Sequence, residues 1–83
     1  MTNIFVGNLP FSTDSSELEE LFAGFGSVSR AQVITDRDTG RSRGFGFVEM
    51  DSDDEAQNAI ESLNGSDLEG RQLKVNVARE RSR

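Results

Sequence analysis

Four residues carry the most specific chemistry in this 83-residue sequence: Phe5, Arg43, Phe45 and Phe47. Arg43, Phe45 and Phe47 fall at every second position of one stretch, so in an extended strand their side chains share a face. Phe5 lies between Ile4 and Val6, and if those two enter a core the ring between them turns outward. Burying a Phe is worth roughly 1.5–3 kcal/mol, so three left on an open face point to a partner that covers them. Aromatic rings stack on flat ligands such as nucleobases, at roughly 1–3 kcal/mol per base. A guanidinium at the margin of the rings suits a phosphate.

Other chemistries find little support. The chain has no His and no Cys, which removes the commonest general base, the thiolate nucleophile and the usual zinc ligands. Gly44-Phe45-Gly46 lies inside a strand pattern, not at the strand-to-helix turn of a dinucleotide site. No phosphate-binding loop of the GK[ST] kind occurs, and Ser15 and Ser16 have no base to form a triad. The acids Asp51, Asp53, Asp54 and Glu55 lack the spacing of a calcium loop and suit a helix start. We therefore expect no enzyme activity, catalytic residue, metal, cofactor or small-molecule substrate. The N-terminus has no basic start and only a short apolar run, so we expect no signal or membrane span and an intracellular, cytoplasmic protein, or a nuclear one in a eukaryote.

The elements that must hold the four residues are well marked. Leu18, Leu21, Phe22 and Phe25 form one helical stripe, capped by Thr13 or Asp14 and ended by Gly24 and Gly26. Ala56, Ala59, Ile60 and Leu63 form a second, with Ser52 and Glu55 spaced as a capping box and Asn64-Gly65 as the stop. Strands are expected at Ile4–Val6, Val28–Thr35, Arg43–Met50 and Leu73–Ala78, with a polar hairpin loop over residues 36–42 and a tight turn at Glu69-Gly70. The order β-α-β-β-α-β is the ferredoxin-like split βαβ pattern of the α+β class. Right-handed crossovers put both helices on one face of a four-stranded antiparallel sheet and leave the other face open. Phe11, Phe22 and Phe25 then remain for the interior, and residues 80–83 form a short basic tail after a domain over residues 1–79.

Two strand segments resemble the RNA recognition motif family. Arg43-Gly44-Phe45-Gly46-Phe47-Val48-Glu49-Met50 fits its octamer, K/R-G-F/Y-G/A-F-V-x-F/Y, at seven of eight positions. Met50 departs from the final aromatic at a core-facing position. Ile4-Phe5-Val6-Gly7-Asn8-Leu9 resembles the family's first-strand hexamer. The likeness spans Asn3 to Arg79, and is greatest to small stand-alone bacterial, notably cyanobacterial, members and to the domain of plant glycine-rich RNA-binding proteins. It implies a monomer that binds single-stranded RNA, and single-stranded DNA more weakly, in post-transcriptional regulation. Phe5 and Phe47 would each stack a base, Phe45 would lie against sugars and Arg43 would pair with a phosphate. Arg41 and Arg79 are further phosphate candidates, with Arg37, Arg81 and Arg83 beside them. Asn3, Arg30, Gln32, Lys74, Asn76, Ala78 and Glu80 flank the face as candidates for base edges or sugars. The alternative is a protein-docking module of the same fold, using the Phe patch or the acidic helices.

A net charge of −6 argues against nucleic acid only if the charge is spread evenly. It is not. Residues 1–28 hold four acids and residues 51–69 seven, with no base in either segment. All nine bases fall within residues 29–50 and 70–83. The acid is thus expected on the helix side and the bases in segments forming or flanking the open face.

Overall fold

The structure, a computed structural model, describes residues 2–78. Its elements are β1 (Thr2–Gly7), α1 (Ser15–Ala23), β2 (Val28–Thr35), β3 (Ser42–Met50), α2 (Asp53–Leu63), β4 (Asp67–Leu68), β5 (Arg71–Gln72) and β6 (Lys74–Val77). Strands β2, β3, β1 and β6 form one antiparallel sheet in that order, so the two motif-bearing strands are central neighbours. The expected four-stranded split βαβ arrangement is present. To it the structure adds a two-residue hairpin, β4 with β5, whose turn is Glu69-Gly70. That turn joins the small hairpin, and the last sheet strand begins only after it.

Both helices cover one face: α1 packs on β2 and β3, and α2 on β6, β1 and β3. Ile4, Val6, Val48 and Val75 from the central strands and β6 meet Leu18, Phe22, Ala56 and Ala59 from the helices, all fully buried. Leu21 and Phe25 close the rim, as the helical stripe of α1 requires. No helix among the described residues is long and apolar enough to cross a membrane.

The helix starts differ from expectation in an informative way. Asp14 caps α1 and forms a full capping box: its side chain accepts from the Glu17 N–H (2.9 Å), and Glu17 accepts from the Asp14 N–H (3.1 Å). At α2 only half of the expected box forms. Ser52 accepts from the Glu55 N–H at 3.3 Å, but the Glu55 carboxylate accepts from the Ser27 N–H at 3.2 Å. Glu55 therefore ties α2 to the chain entering β2 and leaves its own N-cap alone.

Phe11 corrects a second expectation. It is 66% exposed, not interior. It lies between β1 and α1, outside the period of either, and the Arg71 guanidinium sits 5.6 Å from its ring centroid. Arg71 also donates to Asn8 Oδ1 at 2.9 Å. Arg71 is thus engaged with Phe11 and Asn8.

Candidate nucleic-acid interface

The open face is built in rows, because antiparallel partners place their side chains on the same side of a sheet. Phe5 on β1 is the direct cross-strand partner of Phe47 on β3, and the row is completed by Gln32 on β2 and Asn76 on β6. A second row runs from Arg30 through Glu49 to Asn3, whose carbonyl accepts from the Ala78 N–H at 2.8 Å. A third brings Phe45 opposite Gly7, with Lys74 beyond. A Cβ on Gly7 would lie 2.9 Å from the Phe5 ring, so the absent side chain is what gives that ring its place.

The three rings form a triangle. Phe5 and Phe47 have centroids 5.8 Å apart at 63°, Phe45 and Phe47 6.2 Å apart at 88°, and Phe5 and Phe45 5.9 Å apart at 33°. Edge-to-face contacts of this kind stabilise a cluster by roughly 0.5–1.5 kcal/mol per pair. All three rings are half-buried, with no helix over them among the described residues. They support one another from the sides and leave their outer surfaces open.

Two glycines of the β3 motif shape this platform from beneath. A Cβ on Gly46 would lie 2.5 Å from the Gln32 carbonyl oxygen and 3.1 Å from Leu18 Cδ2, so β2 and α1 can approach only because it is glycine. Gly44 has a φ of +88°, which an L side chain adopts only with strain. The β2–β3 register shifts there, from Val33 opposite Gly46 to Thr35 opposite Ser42, and the Gly44 carbonyl accepts from the Leu9 N–H at 2.8 Å. The alternation expected over Arg43–Met50 therefore holds cleanly only from Phe45 onward. Arg43 is exposed beyond this irregularity.

The structure thus gathers Phe5, Phe45, Phe47, Asn3, Arg30, Gln32, Lys74 and Asn76 on one sheet, as expected from the sequence. Arg41 instead lines a separate depression of about 480 Å³ with Phe11, Ser12 and Ser42. Arg37 is exposed in the β2–β3 loop. Arg79, Glu80, Arg81 and Arg83 lie outside the described residues. Glu49 is not among the residues expected at the site, although its place two residues after Phe47 sets it on the same face; it stands at the centre of the second row. Beside it a depression of about 220 Å³ is lined by Asn3, Arg30, Gln32, Phe47 and Glu49.

Comparison with known proteins agrees with this layout. The chain is 58% identical over 80 residues to the chloroplast RNA-binding protein CP31B of Arabidopsis thaliana, covering 96% of this chain and 28% of that protein. It is 52% identical over 79 residues to the putative RNA-binding protein RbpA of Synechocystis, covering 95% and 78%. Against three plant organelle relatives the chain spans 28% to 60% of their own length. Among solved structures, the RNA-binding protein PG1 superposes over the whole of both chains with a TM-score of 0.94 at 48% identity. A Sxl-lethal protein–RNA complex superposes with a TM-score of 0.92 at 36% identity, covering 98% of this chain and 48% of that one. A family model, the RNA recognition motif, matches residues 4–74. That match runs from the first core residue of β1 to the first residue of β6 and takes in every element between; the chain belongs to the RNA recognition motif family.

Proposed function

We propose that this domain binds single-stranded RNA across the open sheet face, as a monomer and without catalysis. Phe5 and Phe47 each stack one base, Phe45 lies against the sugars between them, and Arg43 pairs with a phosphate. The observation that carries this reading is the ring triangle on two adjacent central strands, uncovered by any helix or strand among the described residues. Two stacks at roughly 1–3 kcal/mol each, with a few phosphate contacts, correspond to micromolar affinity, about −8 kcal/mol. The site spans two to four nucleotides. Single-stranded DNA binds more weakly, and the setting is an intracellular one where RNA is processed or regulated.

The test is a Phe5→Ala, Phe47→Ala double variant, titrated against a random single-stranded RNA pool beside the parent. The variant is expected to keep its circular dichroism spectrum and lose affinity by the energy of two stacks, tenfold or more at about 1.4 kcal/mol per decade. Equal RNA binding by the folded variant would overturn the stacking mode. Failure of the parent to bind any RNA saturably would turn attention to a protein partner on the same patch. A log–log salt slope shallower than about four phosphates' worth is also expected, since few phosphates are neutralised.

A further inference from the structure

The depression beside Phe47 has an unusual donor and acceptor set. Arg30 and Glu49 are direct cross-strand partners, yet among the described residues neither side chain has a hydrogen-bond or ion-pair partner. The side chains of Asn3 and Gln32, on the strands either side, are likewise uncommitted. Elsewhere the polar side chains facing structure are engaged: Asp14, Glu17, Ser15, Ser52, Glu55 and Asn64 all bond main-chain groups. A carboxylate on a surface meant for a polyanion repels it, so Glu49 weakens binding there unless it meets a donor on the ligand.

A carboxylate only accepts and a guanidinium only donates. Among the four bases, guanine alone offers two adjacent donors on one edge, N1–H and N2–H, matching both oxygens of a carboxylate. Adenine and cytosine set one donor beside an acceptor that repels it, and uracil has one donor between two acceptors. Guanine also offers O6 and N7 as acceptors on its next edge, the pair that arginine takes in bidentate fashion. Guanine is thus the base that satisfies Glu49 and Arg30 together. We propose that the base stacked on Phe47 is read by Glu49 and Arg30, and that this site selects guanine. The inference rests on the RNA-binding reading above and adds a base preference to it.

The experiment uses uridine hexanucleotides carrying a single guanine, adenine or cytosine at an internal position, beside the all-uridine hexamer. Each is titrated by fluorescence anisotropy against the whole chain and its Glu49→Gln variant. The parent is expected to favour the guanine oligonucleotide by about tenfold, the scale of one good bidentate contact. Glu49→Gln is expected to lose that preference while binding the all-uridine hexamer more tightly, because a repulsive charge has gone. These opposite signs are not the effect of a loosened fold. Equal parent affinity for all four oligonucleotides overturns the guanine site but leaves the RNA-binding reading intact, as does a guanine preference unchanged in Glu49→Gln. No saturable binding to any of the four overturns both.

Discussion

The two faces of the four-stranded sheet are made by the same strands, often by consecutive residues, and they are opposites. On the helix side Ile4, Val6, Val48 and Val75 are fully buried. On the other, Phe5, Phe47 and Asn76 stand one residue away and stay reachable by solvent. The polar groups differ in the same sense. Around the helices, side chains such as Asp14, Ser15 and Glu55 are committed to main-chain partners, whereas Arg30, Glu49, Asn3 and Gln32 on the open face have none among the described residues. A period of two is enough to separate stability from recognition along a single strand. Substitutions at neighbouring positions of β3 should therefore fail in different assays.

The largest effect is expected at Val48. It is fully buried between the helices and the sheet, and an aspartate there would place an unpaired carboxylate in the core, a cost of several kcal/mol. Set against a total stability of about 5–15 kcal/mol for a domain, Val48→Asp should abolish the cooperative thermal transition by circular dichroism. Phe47→Ala, one residue earlier, should keep that transition and lose affinity instead. A Val48→Asp chain that melted like the parent would remove the distinction between the faces.

Gly46→Ala sharpens the comparison, because Gly46 belongs to the motif that carries the rings and yet points at the core. Its added methyl would meet the Gln32 carbonyl at 2.5 Å and Val33 Cα at 3.0 Å, main-chain atoms that cannot rotate aside. Overpacking of this kind costs roughly 1–3 kcal/mol. The variant should show a lower denaturation midpoint in urea, with RNA affinity preserved wherever the folded fraction is high. Loss of affinity without loss of stability would assign Gly46 to the interface instead.

How far these features could be read from sequence follows from the range of the interaction behind each. The alternation in Phe45–Met50 and the helical stripes depend on near neighbours, and both faces of the sheet were legible from them. So were Phe5, Phe45 and Phe47, because their neighbours belong to the core. Phe11 lies in a connection with no period, where hydrophobicity alone suggests the interior; the ring is exposed instead and meets the guanidinium of Arg71, 60 residues away in sequence. Glu55 had two main-chain donors to choose from, and only tertiary contact brings Ser27 within reach. The β4–β5 hairpin has two residues per strand, too few for alternation to show. The shift at Gly44 comes with a bond from the Leu9 N–H to the Gly44 carbonyl, which no local pattern in β3 reveals.

The smallest effect lies at the rim of the helix side. Thr2, opposite the buried Met50 on β3, donates its hydroxyl to Asp53 Oδ1 at 2.5 Å, joining β1 to the first turn of α2. The hydroxyl is the largest cause holding this carboxyl below its ordinary value. A carboxyl whose folded value is depressed favours the folded state in full above its unfolded pKa, near 3.9, and that contribution fades as pH falls through the lower folded value. Thr2→Val removes that cause. The variant should thus be slightly less stable than the parent at pH 7, and the gap should close as pH falls below the unfolded value, as followed by urea midpoints from neutral into acid pH. A gap of the same size at pH 2 would mean that the hydroxyl contributes by packing alone. Polar side chains of the helix face would then be engaged without being linked to charge, and the contrast with the uncommitted charges of the open face would be one of exposure only.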